Sequence, residues 1–186
     1  MELHIKNMVS NRCKLIVKSE LEKLGLHYAS IKLGVAEIAD DTPPEKITLL
    51  DFNLKKSGLS LIEDKKSMLV EKIKNVIIEL VHYSEDQIKV NFSDYLSEKL
   101  NYDYTYLANL FSEHQGTTIE HYFLHHKVER VKELLIYDEL NITEIAYRLH
   151  YSSVAHLSNQ FKKITGLTPS HYKHLRVKKR IPLEKV

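Results

Sequence analysis

A motif that occurs twice constrains this chain more than any average property does. "YLANLFSEHQGTTIEHY" fills residues 106–122, and "HLSNQFKKITGLTPSHY" fills residues 156–172. At an offset of fifty, Leu107 matches Leu157, Asn109 matches Asn159 and Phe111 matches Phe161. Gly116, Thr118, His121 and Tyr122 then match Gly166, Thr168, His171 and Tyr172. Each copy reads as a helix that stops at the glycine and restarts after it. A solenoid needs about three or more copies to bury its faces, and this chain carries two. The repeat therefore calls for a pair of similar helical units.

Around the second copy, "NITEIAYRLHYSSVAHLSNQFKKITG" reads as two helices about a tight turn. Asn141 and Glu144 have the spacing of a capping box that opens the first helix. Ile145, Ala146 and Leu149 lie on its inner face, and the small Ala146 lets two helices cross closely. His150 occupies the turn, and Ser152 or Ser153 caps the next helix. In that helix Leu157, Phe161 and Ile164 point inward, while Ala155, His156, Asn159 and Lys163 face outward. In the first copy Leu100 and Asn101 precede the turn and Asp103 is the cap. Leu107 and Phe111 point inward there, and Tyr104, Thr105, Ala108 and Asn109 point outward. Beyond residue 84 every pattern is helical, most clearly at 93–100, 104–114, 118–137, 142–149, 153–165 and 168–175.

These features resemble the DNA-binding domain of AraC/XylS-type transcription regulators over residues 84–175. The sharpest stretch is "ITEIAYRLHYSSVAHLSNQFKKITGLTPSHYK", with its Glu-Ile-Ala, Phe-Lys-Lys, Gly and Thr-Pro-Ser-x-Tyr elements. The resemblance implies two helix-turn-helix units whose second helices enter successive major-groove segments of double-stranded DNA, held apart by residues 118–137. The chain departs from the family pattern in three places. His150 stands where Gly is frequent, and a left-handed turn costs His more than Gly. Asn109 and Asn159 stand where many members carry Arg, so no DNA sequence preference transfers. The first unit is acidic.

Charge agrees with a polyanionic partner at one end. From residue 156 onward eight Lys/Arg face Glu184 alone, a net of +7, whereas residues 84–155 hold six Lys/Arg against twelve Asp/Glu. Lys162, Lys163, Lys173, Arg176 and the rest of the tail to residue 180 are placed to neutralise phosphates, which gives affinity without sequence information. Base choice falls to the outward faces. Asn109 and Asn159 suit the bidentate contact to adenine, Thr105, Ser153 and His156 offer single hydrogen bonds, and Ala108 or Ala155 suits a thymine methyl. Tyr104 completes the outward set of the first unit.

The N-terminal part alternates differently. Leu3, Ile5 and Met8 predict a short half-buried strand; Leu15, Ile16, Leu21 and Leu24 predict a helix over residues 12–24. "YASIKLG" and "VAEIAD" read as a hairpin about Gly34, "TPPEKITLLDFNLKKSG" as a proline-started helix and "LSLIED" as a last strand. Strand, helix, strand, strand, helix, strand is the order of a ferredoxin-like α+β sandwich. The expected organisation is a ferredoxin-like module at 1–63, a connecting amphipathic helix at 64–83 and the helical domain at 84–186. Met8-Val9-Ser10-Asn11-Arg12-Cys13 also resembles the Met-x-Cys-x-x-Cys opening of a heavy-metal-associated domain, with Ser10 in place of the first cysteine. A hydroxyl does not replace a thiolate for a soft ion, so the motif is read as degenerate and no metal or other cofactor is expected.

Other classes find little support. No apolar run reaches the roughly 18 residues of a membrane span, and the opening residues lack a signal-peptide pattern. Cys13 is the single cysteine, which fits a reducing bacterial cytoplasm. Glycine-rich phosphate loops, nucleophile elbows and zinc-protease helices are missing, so an enzyme is not expected. His121 and His125 have i, i+4 spacing without a third ligand and read as surface residues. The expected activity is sequence-specific transcription regulation, with a small-molecule or protein effector acting at the N-terminal module. The alternatives are a metal-responsive or metal-handling protein that uses Cys13 with DNA binding as its output, and a protein-interaction module.

Overall fold

A computed structural model describes residues 1–84, 90–137, 139–175 and 182–186. The chain forms two compact units, Met1–Asn75 and Val76–Val186.

The first unit is a small antiparallel sheet with helices. Strands β1 (Glu2–Lys6), β2 (Tyr28–Lys32), β3 (Val35–Ile38) and β4 (Ser60–Ile62) alternate with helices α1 (Asn11–Lys23) and α2 (Pro44–Lys55). The sheet order is β2-β3-β1-β4, and β1 runs antiparallel to both neighbours, with Leu3 opposite Ala36 and Ile5 opposite Leu61. Period-two alternation buries Leu3 and Ile5 on one face of β1. Met8 lies past the strand, beyond Asn7 at φ 67°, and is nevertheless fully buried. In α1 the buried stripe is Val17 and Leu21; Leu15, counted in the apolar spacing, is 65% exposed. Leu50 and Leu54 repeat the i, i+4 stripe in α2, which packs against α1 and β4. Each such fully buried aliphatic side chain contributes about 1.5–3 kcal/mol relative to exposure.

Helix α3 (Lys65–Ile78) runs through the boundary between the units and continues as one turn of π-helix, Glu79–Tyr83. The wider register is set by the Ser84 N–H, which donates to the Glu79 carbonyl at 2.8 Å. Apolar periodicity in the sequence does not separate this turn from the α-helix before it.

The second unit is all-helical: α4 (Phe92–Leu100), α5 (Tyr104–Gln115), α6 (Ile119–Tyr137), α7 (Ile142–Arg148), α8 (Val154–Thr165) and α9 (Pro169–His174), with a 3-10 turn at Leu183–Lys185. Its organising element is α6, whose 19 residues span about 28 Å at 1.5 Å per residue. Helices α5, α7, α8 and α9 all pack on it. Val128, Val131 and Leu135 of α6 meet Ile145 and Ala146 of α7, Leu157 and Phe161 of α8, and Tyr172 of α9 in one buried cluster. Among the described residues no helix is long and apolar enough to cross a membrane.

Candidate nucleic-acid interface

Two helix-turn-helix units emerge from these local rules. In the first, α4 ends at Asn101 in the left-handed region, φ 58°, and Asp103 caps α5 by accepting the Tyr106 N–H at 3.2 Å. Leu107, Leu110 and Phe111 are buried, so the opposite face of α5 is turned outward. Thr105 and Asn109, four residues apart, are exposed on that face, and Ala108 is half-buried. Tyr104 is half-buried, and its hydroxyl donates to Glu120 of α6 at 2.5 Å. Burial, and then the Glu120 carboxylate, push that hydroxyl above its ordinary pKa, and the same bond holds Glu120 below its own. Tyr104 thereby ties α5 to α6. Sequence spacing places Tyr104 on the outward face but cannot show a partner sixteen residues away.

The second unit is built the same way, with five residues between its helices where the first has three. Asn141 accepts the Thr143 and Glu144 N–H groups at 2.9 and 3.0 Å, and Glu144 accepts the Asn141 N–H at 2.7 Å, completing the capping box. His150 takes φ 55°, the left-handed conformation that the turn demands. Of the two candidate serines, Ser153 is the cap: its Oγ accepts the His156 N–H at 3.0 Å. Ser152 pairs instead with Nδ1 of His156 at 2.9 Å, and that ring stands edge-on to the buried Tyr151.

Helix α8 presents the fuller surface. With Leu157 and Phe161 fully buried, Ala155, His156, Asn159, Lys162 and Lys163 are all exposed. Their spacings of three and four residues put them on one helix face. Both lysines sit in the last turn, where the helix dipole favours cations. Lys173 is half-buried on α9, and Arg176 lies outside the described residues. The repeat shows a contrast: the positions of Lys162 and Lys163 are held by Ser112 and Glu113 in the first unit. Helices α5 and α8 both close on left-handed glycines, Gly116 and Gly166, and Thr118 and Thr168 cap the helices that follow, each by accepting a histidine N–H at 3.2 Å.

In the first unit, Ser10 Oγ and Cys13 Sγ lie 3.4 Å apart at the start of α1. His121 and His125 approach through their Nε2 atoms at 3.1 Å. Among the described residues no three His, Cys, Asp or Glu side chains gather as metal ligands.

Comparison with known proteins falls on the same helices. Residues 96–174 match the family model described as a helix-turn-helix domain. The uncharacterized HTH-type transcriptional regulator YtdP of Bacillus subtilis is 26% identical over 102 residues, 54% of this chain and 13% of that protein. The HTH-type transcriptional regulator GlxA of Rhizobium meliloti is 39% identical over 64 residues, 34% of this chain and 20% of that protein. The chain thus spans less than a quarter of the length of these relatives. Among solved structures, the C-terminal domain of AraT, a response regulator from Geobacillus stearothermophilus, is similar with a TM-score of 0.52 at 27% identity, covering 64% of this chain and 94% of that one. Residues 96–174 therefore carry a helix-turn-helix domain, similar in fold to the C-terminal domain of AraT.

Proposed function

We propose that the protein is a sequence-specific DNA-binding transcription regulator of the bacterial cytoplasm whose two helix-turn-helix units read successive major-groove segments. The observation that carries this reading is the exposed face of α8, where Ala155, His156 and Asn159 stand beside Lys162 and Lys163. Asn159 is a bidentate partner for adenine, and the lysines neutralise phosphate on either side of it. The 19-residue α6 spaces the units on the scale of one DNA turn, about 34 Å. In the first unit Asn109 and Thr105 take the reading role, and Tyr104 acts by fixing α5 to α6. The first unit grips phosphate less, because Ser112 and Glu113 replace the two lysines. Lys173 and Arg176 add phosphate contacts beside the second unit. Ser153 acts as a cap and leaves base reading to its neighbours.

The same proposal assigns residues 1–63 to a ferredoxin-like module, 64–83 to a connecting helix and 84–186 to DNA binding. The sheet order β2-β3-β1-β4 with β1 antiparallel to both neighbours supports the ferredoxin-like assignment. That module is the place for a small-molecule or protein effector. Selection of bound duplexes from a random pool by the full chain tests the function: a recovered consensus is expected, and a pool that stays random after repeated selection refutes sequence-specific reading.

A further inference from the structure

A cavity of about 240 Å³ lies within the helical unit. Its lining includes Leu80 from the π-turn, Ser84 just after it, Phe123 and Lys127 from α6, and Arg148, Leu149 and His150 from the second helix-turn-helix. Lys127 is the member that needs explaining. Its ammonium stands 3.9 Å from the Tyr151 ring centre and 5.6 Å from that of Phe123. Burial lowers its pKa to about 8, and among the described residues no carboxylate opposes the shift. Aromatic faces offset only part of the cost of desolvating an ammonium. The hydroxyl of Tyr151, beneath it, is buried and has no hydrogen-bond partner among the described residues.

A cation of this kind beside open space is half of a binding site. We propose that the cavity takes a small organic carboxylate with a compact apolar body, its charge on Lys127 and its body against Leu80, Phe123 and Leu149. A bare inorganic anion fits less well: Lys127, Arg148 and Ser84 carry donors, but such an ion would leave the apolar walls of Leu80, Phe123 and Leu149 uncovered. Size agrees, since a cavity of roughly 150 Å³ already holds benzene. Leu149 and His150 belong to the turn that sets α8, so the occupant braces the turn on which the second unit's orientation depends.

Isothermal titration of the full chain with benzoate as probe tests the site without involving DNA, with benzamide and inorganic phosphate as comparisons. One benzoate per chain is expected, bound at least tenfold more tightly than either. Lys127→Met should lose at least tenfold in benzoate affinity while Lys127→Arg retains most of it. Glu85 and Asp86 follow Ser84 in the sequence, so Glu85→Gln/Asp86→Asn is measured as well and should bind benzoate no less tightly than the unaltered chain. Absence of benzoate binding, equal affinity for benzamide or phosphate, or an unaffected Lys127→Met overturns the proposal. Binding seen only in Glu85→Gln/Asp86→Asn also overturns it, because the cavity then belongs to the chain's own carboxylates. The comparison of benzoate with benzamide uses the unaltered chain and so does not depend on any variant folding.

Discussion

Ser153 separates two roles that its position allows, capping and base reading. Its Oγ accepts the His156 N–H at 3.0 Å, so truncation to alanine leaves a backbone donor of the first turn of α8 unsatisfied. Loss of such a cap costs about 1 kcal/mol, within a range of about 0.5–2. The rest of α8 should survive, because Leu157 and Phe161 anchor it from the core. Ser153→Asp keeps an acceptor at the cap and adds a negative charge at the helix N-terminus, favourable by about 0.3–1 kcal/mol. Stability should therefore rank Asp at or above Ser, and Ala below both. DNA affinity should rank differently: Ala near Ser, within about 0.5 kcal/mol, and Asp weaker because its charge faces phosphate. Urea unfolding followed by circular dichroism gives the first ranking, and fluorescence anisotropy with a labelled duplex gives the second. A Ser153→Ala protein of unchanged stability that binds DNA tenfold more weakly would refute the reasoning and return the hydroxyl to base reading.

Three further outcomes follow from the geometry. Asn159→Ala should cost roughly 1–3 kcal/mol on a selected duplex and little on random DNA, whereas Lys163→Ala should weaken both alike; Asn109→Ala should cost less than Asn159→Ala, an ordering that fails if the first unit proves the more sensitive by anisotropy. Ser10→Cys should create a tight site for Cu(I) or Zn(II), since the Ser10 and Cys13 side-chain termini already lie 3.4 Å apart at the start of α1; competition against a chelator checks it, and tight binding by the unaltered chain contradicts the reading of a degenerate motif. Gly34→Ala should destabilise the first unit by at least about 1–2 kcal/mol from the left-handed conformation alone. A Cβ at that position would also lie 2.0 Å from the Asn75 side chain, and an unchanged unfolding midpoint would show that this turn tolerates both.

Much of the helical unit was legible in the sequence because its signals are local. Asn141 with Glu144, Asp103, and the glycines at 116 and 166 each act within one helical turn, so spacing alone locates them. The strand–helix order of the first unit was legible for the same reason, through alternation at Leu3 and Ile5 and glycine or proline at the breaks. What spacing could not show is where a polar tip finds its partner. Tyr104 bonds Glu120 across two helices, and Ser153 bonds its own helix. Lys127 reads as one more charge on an amphipathic helix, yet folding places it over Tyr151 beside a cavity. Leu15 shows the converse: an apolar residue in step with its helix that the fold leaves 65% exposed.

Binding of the full chain to a selected duplex and to a shuffled one, measured by anisotropy from 50 to 200 mM salt, tests the central claim most directly. On the proposed function, Lys162, Lys163 and Lys173 would supply three phosphate contacts among the described residues. At a slope of about −0.9 per contact they predict a log–log slope of about −2.7 or steeper, a loss of roughly 40-fold across that range. The account predicts this slope on both duplexes, with the selected one held more tightly at every salt concentration. A slope near zero, or equal affinity for the two duplexes, would contradict it.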